Sequence, residues 1–372
     1  MRFEFATAAR IVFGPGTVRE AATAARQMGR RALLVARRSA DCRAAGLEGV
    51  PFAVHGEPTV ELVRQGTQVA RGEGCDVVIA FGGGSAIDAG KAIAALLANG
   101  GDPLDYLEVV GQGRPLALPS APFIAIPTTA GTGSEVTRNA VLASPQHGVK
   151  ASLRSAGMLA RLAVVDPELC VDLPPAVTAS TGLDALTQLI EPYVSVRANA
   201  MTDLWCLEGM RRAATALRRA WRDGRDMAAR TDMSFASLLG GLALANAGLG
   251  AVHGFAAPLG GMFDAPHGAL CAALLPHAMS VNIRALGESA ARQRYETVAR
   301  ILTGRADAAP EDGAAWVAAL CRDLEVPPLR AYGVRESDIP TAAEKAAAAS
   351  SMKGNPIVLS REQLQEVLAL AI

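Results

Sequence analysis

Over roughly the first 165 residues the chain alternates short, uniformly apolar runs with amphipathic stretches. Residues 10–13 read as a strand that stops at Gly14-Pro15-Gly16, and residues 16–28 as a helix capped by Thr17. Further strands fall at 32–35, 76–80 and 123–126, the last ending at Pro127, with a helix over 60–72 between the first two of these. Strands with one wet face alternate apolar and polar positions, whereas strands buried on both faces of a parallel sheet are apolar throughout, which is the pattern here. The expectation is an α/β domain with a parallel sheet. Past Val164-Val165-Asp166-Pro167 the β signal fades. From Leu173-Pro174-Pro175 onward the period is helical, with helices expected over 176–194, 200–222, 230–245 and from 360 to the C-terminus. The boundary is placed between 172 and 173, giving an α/β domain over 1–172 and an all-α domain over 173–372.

Residues 238–263 carry no charge and are long enough to span a bilayer. Asn246, His253, Pro258 and repeated glycines interrupt them, and broken helices with polar groups are costly in lipid, so they are read as a buried helical pair. The alanine-rich residues 342–349 read as an ordinary helix. Thirty-six basic residues balance thirty-six acidic ones, leaving no global field to hold a polyanion or an acidic membrane surface. Neither nucleic acid nor membrane is an expected partner. Glu4 stands where a signal peptide needs basic residues, and the six cysteines form no CxxC pair. Reduced thiols in the cytoplasm are expected, and spacing marks no cysteine as a metal ligand.

Two turns carry candidate chemistry. Gly82-Gly83-Gly84-Ser85, followed by Asp88 and Lys91, leaves a strand and opens a helix. Glycines allow close backbone approach to a phosphate, and a helix N-terminus offers partial positive charge. A tight structural turn uses the same residues, so this run alone does not decide. The second run, Pro127-Thr128-Thr129-Ala130-Gly131-Thr132-Gly133-Ser134-Glu135, again follows a strand and is rich in small hydroxyls. Two such turns at the carboxyl ends of parallel strands line the place where open α/β sheets bind ligands, which points to a dinucleotide.

These runs, together with Asp166-Pro167, Gly182-Leu183-Asp184-Ala185-Leu186-Thr187 and Glu191, resemble the iron-containing (group III) alcohol dehydrogenases of the dehydroquinate synthase-like superfamily. So do Gly248-Leu249-Gly250-Ala251-Val252-His253-Gly254, Pro258-Leu259-Gly260, Pro266-His267-Gly268 and Leu274-Leu275-Pro276-His277. The likeness runs in order along nearly the whole chain, from Phe13-Gly14 to Asn355-Pro356. It implies a Rossmann-like dinucleotide domain, an all-helical metal and substrate domain with the active site in the cleft between them, and a homo-oligomer such as a dimer. By the resemblance, Gly82, Gly83, Gly84 and Ser85 contact the cofactor diphosphate with Asp88 beside them. Thr128, Thr129 and Thr132 meet the nicotinamide half, and Lys150 the ribose. Where many NAD-using members carry an aspartate for the adenosine ribose, this chain has Arg37; an arginine pairs with a 2′-phosphate, so NADP joins NAD as a candidate.

The resemblance also implies a metal set of Asp184, His253, His267 and a fourth ligand at 188. Asp184 and Gln188 share a helix face at i,i+4. A carboxylate and two imidazoles suit Fe²⁺ or Zn²⁺ and leave an open position for a Lewis acid. Two departures stand out. Gln188 replaces the usual histidine and offers a poor amide ligand, although related superfamily members such as glycerol dehydrogenase manage with three protein ligands. Ala257 stands where many members have a proton-relaying histidine, which leaves metal-bound water, the cofactor ribose or His277 for that task. The expected activity is hydride transfer between nicotinamide and a small alcohol or aldehyde. A metal-independent maleylacetate reductase-like enzyme, a dehydroquinate synthase-like lyase and a non-catalytic nucleotide-binding protein are the alternatives. The lyase needs a basic phosphate pocket, and neither residues 188–190 nor 254–257 supply a lysine or arginine.

Overall fold

The computed structural model describes residues 2–372. They form two units, one of Phe5–Thr129 and Gly133–Cys170, the other of Val171–Ile372 with Ala130–Thr132 and the N-terminal tip.

The first unit runs β1 (Ile11–Phe13), α1 (Arg19–Met28), β2 (Ala32–Ala36), α2 (Ser39–Ala44), β3 (Val50–Ala53), α3 (Val60–Gly72), β4 (Val77–Gly82) and α4 (Gly84–Asn99). It continues through α5 (Pro103–Tyr106), β5 (Phe123–Pro127), β6 (Asn139–Ser144), β7 (Val149–Arg154) and β8 (Leu162–Val165). Six strands make one sheet in the order β1-β8-β5-β4-β2-β3, every neighbouring pair parallel. Its centre is apolar on both faces, with Leu34, Ile79, Ile124, Ile126, Leu162 and Val164 clustered on one and Leu33, Val35, Val78 and Phe123 buried on the other. Gly90 lets α4 lie close on the sheet, since a Cβ there would come within 2.8 Å of Ala80 and 2.9 Å of Phe123.

The chain leaves β2 for β3 on one side and β4 for β5 on the other, so the topological switch falls between the carboxyl ends of β2 and β4. Ligands of open α/β sheets bind at that place. Arg37 follows β2, and Gly82, Gly83 and Gly84 make the turn after β4.

Local details differ from the sequence reading. Helix α1 begins at Arg19, and its cap is not Thr17, whose hydroxyl donates to Gly14 O at 2.7 Å. Instead Asp166, far along the chain, accepts from the backbone N–H of Gly16 at 3.1 Å and of Val18 at 3.0 Å. A charged acceptor at the positive end of a helix is a stronger cap than a hydroxyl, and it gives Asp166-Pro167 a structural role. The antiparallel hairpin of β6 and β7 was not foreseen either. Its half-buried strands, six residues each, join through a 3₁₀ turn at Pro145–His147 ending in Gly148 with φ 61°.

The second unit is helical: α6 (Pro175–Val194), α7 (Ala200–Arg222), α8 (Met227–Ala247), α9 (Ala251–Met262), α10 (His267–Leu286), α11 (Ala290–Thr303), α12 (Pro310–Asp323), α13 (Ile339–Ala348) and α14 (Arg361–Ala371). The uncharged run is a buried helical pair, but it breaks at its glycines and not at Asn246, His253 or Pro258, which lie within helices. Gly248, with φ 72°, ends α8, and α9 departs at 96° to it. Among the described residues α10 alone is long and apolar enough to cross a membrane by itself, and most of it is buried inside the unit.

Candidate functional site

Three helices of the second unit bring four side chains to one point. Asp184 comes from the middle of α6, His253 from the first turn of α9, and His267 and Cys271 from the first turns of α10. Glycines set the approach. A Cβ on Gly268 would lie 2.6 Å from Ser180 O on α6, so only glycine lets the start of α10 sit that close. The bend at Gly248-Leu249-Gly250 restarts the helix at Ala251, two residues before His253.

The donor atoms of Asp184, His253, His267 and Cys271 all lie within 4.8 Å of one another. His253 Nε2 is 3.3 Å and His267 Nε2 3.8 Å from Asp184 Oδ1. Cys271 Sγ is 3.8 Å from His253 Nε2 and 3.6 Å from His267 Nε2. Asp184 and His253 are buried, while the His267 side chain is 36% exposed, so the cluster is closed on the carboxylate side and open on the other. Behind it, Glu191 Oε2 lies 2.6 Å from His253 Nδ1, and its other oxygen accepts from Val252 N–H at 2.6 Å. A carboxylate on Nδ1 fixes the tautomer and turns the Nε2 lone pair to the centre, the usual support of a metal-binding imidazole.

The electrostatics ask for a cation. Burial opposes a charge on His253, yet Cys271, Glu191 and Asp184 hold its pKa well above the ordinary value. His267 moves the same way, with Cys271 and Asp184 overcoming burial. Asp184 is held below the usual carboxylate value, against its burial, by His253, His267 and the Gln188 amide. Asp184 Oδ1 nonetheless has no hydrogen-bond partner although wholly buried. Lone pairs from a carboxylate, two imidazoles and a thiol facing one another, with an orphaned oxygen among them, fit a divalent cation.

Gln188 sits one turn beyond Asp184, buried, with its Cβ against Gly240 of α8. It helps to hold the Asp184 carboxyl low, and its own Oε1 is buried without a hydrogen-bond partner. Cys271 corrects the expectation that no cysteine is a metal candidate. Spacing from other cysteines was the wrong test, because its relevant neighbour is His267, four residues earlier on the same helix face. Glu191 shares the face of Asp184 by the same arithmetic, seven residues on. Ala257 is exposed on α9. His277 follows Pro276 within α10, ten residues and about 15 Å along the axis from His267, and burial lowers its pKa.

In the α/β unit the two turns lie side by side. Thr128 N–H donates to Gly82 O at 3.0 Å, and a Cβ on Gly83 would stand 3.3 Å from Thr129 Oγ1. Gly83 caps α4 without a side chain, leaving the first amides of α4, at Gly84 and Ser85, free of a capping group. Below them Lys91, 1% exposed, donates to Thr137 Oγ1 at 2.8 Å, to Asn139 O at 2.7 Å and to Thr137 O at 3.3 Å. Asp88 lies 3.6 Å from Lys91 and accepts from Val141 N–H at 3.0 Å. This pair ties α4 to the segment after the hydroxyl turn. Lys150 on β7 is paired with Glu57 at 3.2 Å, Arg37 is exposed, and Thr132 belongs with the helical unit beside Gly131, which packs on Thr181.

Known proteins share this construction. Residues 8–167 match the model of iron-containing alcohol dehydrogenase, and residues 178–372 that of the C-terminal part of the Fe-containing alcohol dehydrogenase family. The chain is 40% identical over 318 residues to 1,3-propanediol dehydrogenase of Klebsiella pneumoniae, covering 84% of this chain and 81% of that one. It is 38% identical over 315 residues to alcohol dehydrogenase 4 of Saccharomyces cerevisiae, covering 84% and 80%. A sulfoacetaldehyde reductase from Bifidobacterium kashiwanohense, solved in complex with NAD+, superposes with a TM-score of 0.88 at 27% identity, over 100% of this chain and 99% of that one. The chain belongs to the iron-containing alcohol dehydrogenase family and is an oxidoreductase acting on CH–OH groups.

Proposed function

We propose that this protein transfers hydride between a nicotinamide dinucleotide and a small alcohol or aldehyde, assisted by a divalent cation held by Asp184, His253 and His267. The observation that carries the reading is the convergence of those donors around the unpartnered Oδ1 of Asp184. When bound, the cation supplies Lewis acidity toward a substrate oxygen and the nicotinamide supplies the hydride chemistry. The chain's own residues position both. Glu191 accepts from His253 Nδ1–H and keeps Nε2 free to bind. Asp184 brings a buried carboxylate flanked by the two imidazoles. The amides at the start of α4 face a diphosphate, and Asp88 with Lys91 holds the neighbouring hydroxyl turn in register.

The relatives named above support a small alcohol or aldehyde as substrate, and the NAD+ complex of one of them supports a dinucleotide on the glycine turn. Arg37, exposed at the switch beside that turn, favours NADP(H) through a 2′-phosphate. Four converging donors speak against the metal-independent reductase. A cytoplasmic homodimer completes the proposal, checked by fractionation and sedimentation.

The test is cofactor oxidation by chelated and metal-reloaded protein over a panel of aldehydes and keto acids, with NADH and NADPH. The expected result is aldehyde-dependent turnover that chelation abolishes and Zn²⁺ or Fe²⁺ restores. Full turnover in chelator overturns the metal-assisted reading, and binding of both cofactors without turnover on any carbonyl overturns the enzymatic one.

A further inference from the structure

We infer that Cys271, and not Gln188, is the fourth protein ligand of the cation, making a centre of one carboxylate, two imidazoles and one thiolate. The inference rests on the metal-assisted reading above and deepens it by assigning the ligand set and the preferred metal.

Geometry is the first support. A tetrahedral cation with bonds of about 2.1 Å to nitrogen or oxygen and about 2.3 Å to sulfur spaces its donors about 3.4 Å apart for oxygen–nitrogen pairs and about 3.6 Å for nitrogen–sulfur pairs. The oxygen–nitrogen separations are 3.3 and 3.8 Å. The sulfur–nitrogen separations are 3.8 and 3.6 Å. Cys271 therefore stands where a ligand stands, with its sulfur fully buried between the two imidazoles. A thiol in contact with two imidazoles has no packing reason to be there, since alanine or valine fills such a site without facing two lone pairs.

A second observation is the wholly buried Asp184 Oδ1, which stands 3.3 Å from His253 Nε2 and 3.8 Å from His267 Nε2 with no backbone or hydroxyl donor on it. It is aimed at the same point as the sulfur. The third concerns Gln188. Its buried Oε1 has no hydrogen-bond partner, but an amide oxygen is a poorer ligand for these cations than a thiolate. The chain thus carries a poor ligand at one position and a good one at another, on two helices that meet at the centre.

The chemical consequence is a change of metal preference. A thiolate is softer than an imidazole or a carboxylate and suits Zn²⁺ with mixed nitrogen and sulfur ligands. Four protein ligands leave a substrate oxygen to enter as a fifth donor, an expansion zinc accommodates. This chain then prefers Zn²⁺ over Fe²⁺, with Cys271 responsible.

The experiment replaces the native metal with Co²⁺ and reads its absorption, independently of turnover. Protein stripped with chelator and titrated with Co²⁺ is expected to show a thiolate-to-cobalt charge-transfer band in the near ultraviolet at one equivalent. C271S should lose the band, and Q188A should keep it. In Zn²⁺ competition against a chelating dye, C271S should lose more than about 100-fold in affinity, beyond the 10- to 100-fold typical of a residue that only supports a ligand. Should C271S fail to fold, X-ray absorption of the zinc-loaded wild type needs no variant, and one sulfur at about 2.3 Å is the expected result. Bound Co²⁺ or Zn²⁺ without sulfur in its first sphere overturns the assignment of Cys271 and leaves the metal-assisted reading standing. A band that persists in C271S also overturns it, naming another cysteine. Protein that binds neither metal overturns both.

Discussion

Two buried clusters of charge, one in each unit, differ in whether the chain completes them. In the α/β unit Lys91 sits against Asp88 and spends its donors on Thr137 and Asn139, and Glu135 lies close enough to feel its charge. Cation and anion both come from the polypeptide. In the helical unit Asp184, Glu191 and Cys271 face two imidazoles whose only route to positive charge is to take up protons; Asp184 Oδ1, like Asp88 Oδ1, has no hydrogen-bond partner, but no lysine or arginine among the described residues stands against it. Burying a charge is costly unless it is paired. A knot that is paired internally holds structure, and one that lacks its cation marks a place where something else binds. A permanent cation separates the two: Lys91 stands 3.6 Å from Asp88, whereas Asp184 has only imidazoles as cationic neighbours.

The comparison breaks most directly at Asp184. Asp184→Asn removes the charge that attracts the cation, and losing several kcal/mol of Lewis-acid stabilisation lowers kcat by about 10³-fold. Zinc content by elemental analysis should fall with it, and an active, zinc-replete variant would show that the incomplete cluster is not a site. The opposite experiment is Lys91→Met, which leaves Asp88 buried and uncompensated. Its expected cost is about 3–5 kcal/mol in urea unfolding, with Co²⁺ binding unchanged in the protein that remains folded. Equal stability would deny Lys91 its structural task.

A pH profile sharpens the picture of the internal knot. Burial raises the Glu135 carboxyl to about 7. An acid with a raised folded pKa binds its proton more tightly in the folded state, so it does not penalise folding below the unfolded value. The penalty grows as pH rises and is complete above the folded value. Glu135→Gln lacks that penalty, and its stability relative to wild type should grow by about 2 kcal/mol between pH 5.5 and 8.5. A difference independent of pH would mean that Glu135 titrates normally. The smallest effect belongs to Arg37, a cation exposed to solvent. Arg37→Ala should raise KM for NADPH about tenfold, the value of one charge-assisted hydrogen bond, and leave KM for NADH unchanged. Parallel changes in both would deny it contact with a 2′-phosphate.

Much of this was legible in residue order. The continuous apolar strands announced a parallel sheet because nothing polar survives burial on both faces, and four of its six strands were marked that way. Gly82-Gly83-Gly84 was visible because phosphate approach and tight turns both exclude side chains. Asp184, His253 and His267 were marked by the resemblance of the motifs around them to the iron-containing alcohol dehydrogenases. Other features left weak signals. The edge strand β3 is half exposed and carries Pro51, so its period fades. The cap of α1 is supplied by Asp166 at the end of the neighbouring strand β8, distant in sequence and so beyond any local rule, and Thr17 next door satisfied the local rule and misled it.

Periodicity and residue type thus fix the class of element and the kinds of donor available, since both depend on neighbours within a turn or a strand. They do not fix which donors meet. Cys271 differs from the other five cysteines only in where α10 points it, and Asp88 differs from Asp184 only in having a lysine folded against it. Such distinctions arise from distances of three to four ångströms between residues far apart in the chain. Those distances exist once helices pack, because close packing and the need to satisfy buried polar atoms select one arrangement among many that share the same local pattern.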